Sequence, residues 1–535
     1  MRSEWLAAAR GQFVGLCGWV DRLVEKGRYE EAIALARIAA HGAWKQHPGS
    51  FGSSRLEDAL ARCAEGLPQS SAPRRLPRGE GWPARVLHSF TETSAVGGHT
   101  RVAWRWICAD PGRRHDLVLH DQGLAALPRP LSDAVRASGG SLESLSGLGS
   151  APLTRAARLR ELAALADLVV LHVHPFDVLP VLAFRGAVER PVIAVFNHAD
   201  HVFWIGGATC DAVLNLRDSG AGLCAARRGI DPERNLLLPL PIDVPPRTRS
   251  RAEAKAQLGV PAQALLCVTI ASEAKYEAPT PAHFVTALAP LLDRHPELHL
   301  RAVGPRDTGL WRAERERTGG RVRALGVLDD LDPLHEAADI GIDSFPFNSI
   351  TSRLECGLYE VPLVGYSPHP EGAEVLRSPI PVATMLRRFD LESFRSALVW
   401  LLTDREERER RGRATAQEIR SQHVGDAWLA HLGTVYAGLR ALGRSPGASV
   451  SPERSEPIDL ALWGAGAARI RSERSFWKRV VRKHFGGLSP LQRARLLAGP
   501  LRGHVDPDLG LVLPWRLPSH RRGRGRPVRR SAAPE

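Results

Sequence analysis

Hydroxyl, amide and carboxyl side chains occur together where an apolar run gives way to a predicted helix. Asn348 lies in the loop that follows the run 339–344. A helix is predicted to begin at Thr351 and Ser352, and the free N–H groups and partial positive charge of its N-terminus favour a phosphate. Glu355, one turn further, is placed to accept hydrogen bonds from ribose hydroxyls. The same residue types also form ordinary N-caps with an acidic first turn, so this pattern alone leaves both interpretations open.

Two more loops supply groups of complementary chemistry. Lys275 follows the apolar run 265–271. An ammonium there can neutralise the charge that builds on a departing diphosphate, although a solvated surface lysine is the alternative. Gly97 and Gly98 follow the first apolar run of the chain, and two glycines let the backbone approach a ligand closely. His99 comes next, at the start of a predicted helix, and is the first candidate for proton transfer.

Histidine and aspartate cluster at the ends of two further apolar runs. The candidates for contact with an acceptor are His172, His174, His198, Asp200 and His201. An imidazole titrates near neutral pH and can take a proton from an acceptor hydroxyl, while structural hydrogen bonding at strand ends is the alternative. His and Asp are also metal ligands, but the chemistry proposed for Lys275 and the helix N-terminus demands no metal, and we predict none.

Apolar, β-branched runs alternate with helical stretches through most of the chain. This alternation is typical of α/β proteins whose parallel sheets are buried on both faces. The strands are predicted at 84–90, 115–120, 166–174, 191–197 and 211–216, and again at 265–271, 298–304, 321–326, 339–344 and 361–366. A Pro-rich break at 238–250 separates the two sets. The sequence therefore predicts two Rossmann-like halves facing a cleft, with ligands beyond the carboxyl ends of the strands.

Segments of different composition flank the two halves. The predicted domains are a helical cap at 1–68, an acceptor-side Rossmann-like domain at 84–245, a second Rossmann-like domain at 246–442 that holds the phosphorylated ligand, and a basic extension at 458–535. The helix hairpins of the cap resemble tetratricopeptide units, but they are too few for a solenoid. A cap packed on the main body is the expectation.

The positive charge of the chain is concentrated in its tail. The formal net charge is +14 over 535 residues, and residues 469–535 hold 17 Lys and Arg against four Asp and Glu. The remaining body is nearly neutral, so no basic cleft for specific nucleic-acid binding is predicted. Phe476 and Trp477 interleave with Lys478 and Arg479, as in basic amphipathic helices that bind anionic membranes. A helix packed on the body and a solvated tail are the alternatives, and the last basic residues are predicted to be disordered.

Targeting features are sparse in this sequence. There is no apolar run of the length that a transmembrane helix needs, and the N-terminus lacks the apolar core of a signal peptide. The seven cysteines are odd in number and never spaced as CxxC, which fits reduced thiols. We therefore expect a cytoplasmic protein, peripheral at the inner membrane face if the tail binds lipid.

The segment 339–364 resembles the donor-binding segment of glycosyltransferases with the GT-B fold. It is similar to the pattern of O-GlcNAc-transferase-like enzymes (family 41), on the residues Asp343, Asn348, Thr351, Ser352, Glu355, Pro362 and Val364. It also resembles family 4, in which two glutamates lie eight positions apart. Here the first of these positions is Phe347, and the glycine that precedes the proline is replaced by Glu360 and Val361.

The resemblance implies roles for the candidates. Gly97, Gly98, Lys275, Asn348, Thr351 and Ser352 would surround the donor diphosphate, Glu355 would hold the ribose, and His99 would lie in the catalytic cleft. It also implies a nucleotide-sugar donor, with a UDP-sugar favoured, and no separate cofactor. The predicted function is transfer of a hexosyl or N-acetylhexosaminyl group to a glycan, glycolipid or protein acceptor, as in bacterial cell-envelope polysaccharide synthesis. A nucleotide-sugar epimerase and a non-catalytic scaffold on the same fold remain the alternatives.

Overall fold

The computed structural model describes most of the chain. The described residues are 2–68, 79, 81–94, 98–187, 189–244, 246–277, 283–377, 382–442, 456–462 and 473–498. Gly97 and residues 499–535, which include the stretch predicted to be disordered, lie outside them. In the described part, no helix is both long enough and apolar enough to span a bilayer.

The N-terminal segment is helical, as predicted. Its helices are α1 (Arg2–Glu25), α2 (Tyr29–Lys45) and α3 (Ser54–Cys63). The Ser53 side chain caps α3 by accepting a hydrogen bond from Leu56 N. The buried carboxylate of Glu57 accepts hydrogen bonds from Gly206 N at 2.9 Å and from Thr209 Oγ1 at 2.7 Å. The cap is therefore fixed to the first Rossmann-like domain by polar contacts as well as by a shared apolar core.

The first sheet follows the cap. Its strands are β1 (Arg85–Phe90), β2 (Arg114–Leu119), β3 (Leu142–Ser144), β4 (Leu168–His172), β5 (Val192–Asn197), β6 (Ala212–Asn215) and β7 (Asn235–Leu237). Their order is β3-β2-β1-β4-β5-β6-β7, with every pairing parallel. Strands β4 and β5 are buried at every position, which explains their continuous apolar sequence. Around the sheet lie α4 (Gly98–Ala109), α5 (Arg129–Ala137), α6 (Pro152–Ala164), α7 (Leu179–Phe184) and α8 (Asp218–Arg228).

The second sheet repeats the topology of the first. Its strands are β8 (Leu265–Ile270), β9 (Leu298–Val303), β10 (Val322–Ala324), β11 (Ile340–Ile342), β12 (Leu363–Tyr366) and β13 (Leu386–Arg388), in the order β10-β9-β8-β11-β12-β13. The surrounding helices are α9 (Arg251–Gln257), α10 (Phe284–Arg294), α11 (Gly309–Arg317), α12 (Asp332–Ala337), α13 (Ile350–Gly357), α14 (Glu374–Arg377), α15 (Leu391–Thr403) and α16 (Arg405–His423). In both sheets the strand order reverses beside the first strand, between β1 and β4 and between β8 and β11. These are the switch points where such sheets bind ligands.

Helix α17 (Gly425–Ala441) joins the two halves. It follows the second domain in sequence but packs on the first. Tyr436 donates to Asp110 Oδ2 at 2.7 Å and accepts from Trp106 Nε1 at 3.1 Å. The Trp428 indole N–H donates to Pro239 O at 2.7 Å. These buried contacts hold the halves on either side of a cleft.

The described part of the basic tail forms α18 (Glu473–His484) and α19 (Pro490–Ala498). The apolar face of α18 is buried against α2, and contact of the basic tail with an anionic membrane stays a prediction. Trp477 packs so closely on Gly42 that a Cβ atom there would lie 2.2 Å from the indole ring. Lys478 and Arg479 lie on the exposed face. Of the alternatives in the sequence, a helix packed on the body is the one observed.

Candidate functional site

A cleft of about 600 Å³ lies between the carboxyl edges of the two sheets. Most of the predicted ligand-binding residues meet there: Gly98, His99, His198, Asp200, His201, Lys275, Asn348, Thr351, Ser352 and Glu355 all line it. They come from two domains and from loops far apart in sequence. The parallel topology therefore collects the candidate groups at one place.

The loop before α13 is held by a buried ion pair. Arg353 donates to Asp343 Oδ2, and Ser349 N donates to Asp343 Oδ1 at 2.9 Å. The Ser349 side chain, at the N-cap position of α13, makes no capping hydrogen bond, and residues 349–352 line the cleft. The N-terminus of α13 therefore presents its partial positive charge to the cleft, as an anion site requires.

Three of the predicted donor-binding residues also hold this loop in place. Lys275 Nζ donates to the carbonyl oxygen of Asn348 at 2.6 Å, which brings the ammonium to the start of α13. Asn348 Nδ2 reaches Leu376 O at 3.4 Å. Ser352 Oγ donates to Ile270 O at 2.7 Å, so its proton ties α13 to the end of β8. Ser352 is therefore occupied as a donor, whereas Lys275 and Thr351 are placed to meet an anion.

Gly98 packs directly against the opposite domain. A Cβ atom built there would lie 2.3 Å from Thr351 Oγ1 of the opposite domain, so a larger residue would force the Thr351 side chain to move. The N-termini of α4 and α13 therefore meet across the cleft. Two positive helix ends and an ammonium converge on one small volume, an arrangement that a bound polyanion would stabilise.

Glu355 has partners that the sequence did not predict. Its Oε1 accepts from Arg105 Nη2 at 2.8 Å and from Arg101 Nη1 at 3.3 Å, both on α4 of the opposite domain. Arg105 also donates to Asp243 Oδ2 at 2.8 Å. The two arginines lie four residues apart on one face of α4, which is a detectable signal, but their carboxylate partner lies 250 residues away.

His99 lies at the acceptor-side wall of the cleft. Its Nε2 contacts the carbonyl oxygen of His172 at 3.2 Å, and its ring stacks on His198 with centroids 4.5 Å apart. Burial lowers the pKa of His99 to about 4, and burial beside His99 lowers the pKa of His198 as well. Both rings are therefore neutral near pH 7, and each can accept a proton only transiently.

The other acceptor-side candidates have different surroundings. Asp200 is buried and accepts from Arg217 at 2.6 and 2.8 Å. Burial alone would raise the pKa of Asp200, but Arg217 and His201 together outweigh it and hold that pKa well below the usual carboxyl value. His201 is half-buried beside it, with Nδ1 at 3.3 Å from Asp200 Oδ1. Asp200 thus orients neighbouring groups, and His201 is the more accessible of the two.

His172 and His174 do not reach the cleft. His172 is fully buried in the first domain, where its Nε2 contacts His88 Nδ1 at 3.0 Å and its ring stacks on Phe90. His174 lies under the cap, with its ring centroid 6.4 Å from that of Trp44. Sequence reasoning placed both at strand ends, but only the backbone oxygen of His172 contributes to the site.

An apolar wall of the cleft was also not predicted. Val327, Leu328 and Leu331 line it after β10, and Val327 is 66% exposed. Gly304, at the end of β9, has φ +106, and a Cβ atom there would lie 1.7 Å from Ala271 O. These residues form an apolar surface beside Lys275 and the N-terminus of α13, against which a planar ring can pack.

Sequence and structure comparisons differ in what they find. No protein-family model matches the chain, and no curated protein matches it. Among solved structures, the glycosyltransferase of Rickettsia africae ESF-5 is 10% identical, covers 67% of this chain and 100% of its own, and has a TM-score of 0.51. Anabaena HepE in complex with UDP is 14% identical, with coverages of 67% and 100% and a TM-score of 0.50. The O-GlcNAc transferase of Thermobaculum terrenum is 14% identical over 81% of this chain and 84% of its own, with a TM-score of 0.47.

The first two likenesses confirm the predicted fold. The chain has the GT-B architecture of glycosyltransferases, with two Rossmann-like domains facing a cleft, preceded by a helical cap. Sequence identities this low establish the fold alone. The activity must be inferred from the residues of the site.

Proposed function

We propose that the protein is a glycosyltransferase that takes a sugar from a nucleoside diphosphate sugar bound in the cleft. One observation carries this proposal. Lys275 and the N-termini of α4 and α13 converge on the same volume, at the switch points of both sheets. A diphosphate is the ligand whose charge and size suit these groups.

We propose the following position for the donor in the cleft. Its diphosphate would lie against Thr351 and Lys275, its ribose against Glu355, and its base on the apolar surface of Val327 and Leu328. We propose uracil as the base, since Anabaena HepE, which shares the fold, is recorded in complex with UDP. When the bond between the anomeric carbon and the diphosphate breaks, Lys275 neutralises the charge left on the β-phosphate.

The acceptor would enter from the first domain. His99 and His198 form that wall, and a neutral His99 is suited to orient an acceptor hydroxyl and take its proton as the new bond forms. We propose a hexose or N-acetylhexosamine as the sugar and a glycan, glycolipid or protein as the acceptor, with envelope polysaccharide synthesis as the setting.

A titration of purified protein with UDP, GDP, ADP and their sugars tests the donor site. We expect saturable binding of one nucleoside diphosphate sugar, lost or weakened at least tenfold in Lys275→Ala and Glu355→Ala. Arg136→Ala changes an exposed arginine of α5 and serves as the matched control, with affinity unchanged. A folded wild-type protein that binds no nucleotide would overturn the proposal in favour of a scaffold role.

The transfer step needs its own test, because an epimerase would also bind a nucleotide sugar. The nucleotide sugar that binds is incubated with the protein in the absence of an acceptor, and the products are separated by anion-exchange chromatography. A transferase releases the nucleoside diphosphate slowly by hydrolysis, and faster with an acceptor. An epimerised nucleotide sugar, with no diphosphate released, would identify the alternative activity.

We also propose that the exposed face of α18 contacts an anionic membrane surface by charge alone. Lys478, Arg479 and Arg482 lie on that face, while the apolar face is buried. Flotation with vesicles containing phosphatidylglycerol should recover the protein at low salt and lose it at about 0.5 M salt, where charge interactions are screened. Recovery that resists salt, or no recovery at low salt, would contradict a purely electrostatic contact.

A further inference from the structure

The ribose-binding carboxylate is already engaged by two arginines from the opposite domain. Arg101 and Arg105 both donate to the same oxygen, Oε1 of Glu355. A carboxylate oxygen has about two lone pairs, so two guanidinium donors saturate it. A ribose hydroxyl that binds Oε1 must therefore displace one of the arginines, whereas a hydroxyl that binds Oε2 displaces neither. An arginine displaced from Oε1 would be available to another part of the donor.

The two arginines are not equally fixed. Arg105 donates to Glu355 at 2.8 Å and to Asp243 at 2.8 Å, and its side chain is 10% exposed. Arg101 makes the longer contact, 3.3 Å, and its side chain is 28% exposed and lines the cleft. Among the described residues, Glu355 is the one to which the Arg101 guanidinium hydrogen-bonds. Arg101 is thus the arginine that a ligand displaces more readily.

A displaced Arg101 has a destination nearby. It lies one turn along α4 from Gly98, and Gly98 abuts Thr351 at the N-terminus of α13, where the diphosphate is proposed to bind. Apart from Lys275, no lysine in the described part of the chain lines this cleft, and Arg217 is paired with Asp200. A diphosphate carries more charge than one ammonium neutralises, and a guanidinium suits phosphate geometry better than any other side chain.

We infer that Arg101 is a ligand of the donor diphosphate, supplied by the acceptor-side domain and held beside the site by Glu355 until the donor arrives. The inference rests on the proposed function and adds a residue to it. Arg105 remains with Glu355 and orients it for the ribose. The two domains are then linked through the donor, because one binds its diphosphate by Arg101 while the other binds it by Lys275.

The test compares ligands with and without phosphates. Affinities for UDP and for uridine are measured by isothermal titration with the wild type, Arg101→Ala, Arg101→Lys and Arg136→Ala. We expect Arg101→Ala to weaken UDP binding roughly 10–100-fold, as for loss of a charge-assisted hydrogen bond, and to leave uridine binding within about twofold. Arg101→Lys should recover part of the loss, and Arg136→Ala should match the wild type.

A second comparison separates a phosphate ligand from a residue that only positions Glu355. In a Glu355→Gln background, Arg101→Ala should still weaken UDP binding about tenfold, because the diphosphate contact is independent of the carboxylate. If the mutation has no effect there, or if it weakens uridine as much as UDP, the inference is wrong while the donor site stands. If the wild type binds none of UDP, GDP and ADP, the proposed function fails first and this inference with it.

Discussion

The two sheets share the same order over six strands, but the carboxyl edges at their switch points differ in which side chains face the cleft. At the second sheet, the loops after β8 and β11 carry Lys275 and the uncapped N-terminus of α13, and both face the cleft. At the first sheet, residues that follow β1, β2 and β4 bond to one another. Thr91 and His120 both donate to Asp177, at 2.6 and 2.7 Å.

The first edge is also covered. His41 of α2 stacks on Phe176 with ring centroids 4.3 Å apart, and His484 of α18 lies 5.3 Å from the same ring. Cap and tail thus cover part of the first edge, while Gly98 and His99, which also follow β1, still line the cleft. Topology determines where a ligand site can form, and the side chains at the strand ends determine whether it remains open.

Removing the Lys275 ammonium, at the carboxyl edge of the second sheet, should have the largest effect on turnover. Lys275→Met keeps the length of the side chain but leaves the departing diphosphate without its cation. We expect donor turnover to fall about 100–1000-fold, the range seen when one transition-state donor is removed. Steady-state release of UDP from the sugar donor measures it. Lys483→Met, at the covered edge, is the matched control, and an equal loss in that variant would erase the distinction between the edges.

Disrupting the hydrogen bonds of Asp177, at the carboxyl edge of the first sheet, should lower stability and leave donor binding intact. Asp177 is buried and accepts from Thr91, His120 and the Leu179 backbone N–H. Asp177→Asn replaces one acceptor oxygen with a donor, and we expect a loss of about 2–3 kcal/mol in the free energy of unfolding. Chemical denaturation measures the loss, with the exposed Asp133→Asn as the control. UDP affinity of the folded variant should be unchanged, and a specific loss of that affinity would place Asp177 in the donor site.

A change of pH should have an intermediate effect on the free energy of unfolding, through His99 in the wall of the cleft. Burial holds the pKa of His99 near 4 in the folded protein, below its ordinary value of 6.5. Between these values the unfolded chain binds a proton that the folded protein does not, so stability falls as the pH falls. From pH 7.5 to pH 5, the wild type should lose about 1–2 kcal/mol more than His99→Gln, in which this group is absent. If both proteins lose the same unfolding free energy over this range, the His99 imidazole has an ordinary pKa in the folded protein.

Much of the fold could be predicted, because strands buried on both faces leave long apolar runs in the sequence. The strands that were not predicted, β3, β7 and β13, have three residues each and lie at or near sheet edges, where no such run is needed. The pattern of α18 was recognised as amphipathic. Periodicity shows that a face is apolar, but it does not show whether that face meets lipid or protein, and Trp477 packs on Gly42.

Residues of the candidate site could be predicted where polar side chains come shortly after an apolar strand. Lys275, Thr351 and Glu355 were found this way and meet in the cleft. Arg101 and Arg105 were missed because a helix face bearing arginines does not identify its partner in another domain. Ser352 also lines the cleft, but its hydroxyl donates to the backbone of β8, and its role in donor binding stays a prediction.

The smallest predicted effect concerns the position where the sequence departs from the glycine of the donor-binding pattern. Glu360 has φ 59, the left-handed conformation that glycine adopts without strain, although it carries a side chain. The backbone thus keeps the glycine conformation at the edge of α13 despite the substitution. Glu360→Gly should relieve this strain, offset partly by the greater entropy of the unfolded glycine, for a net gain of up to about 1 kcal/mol. Chemical denaturation measures the gain, and Glu360→Ala, which keeps a Cβ atom, should show little of it. An equal gain in both variants would attribute the effect to the lost charge and not to backbone strain.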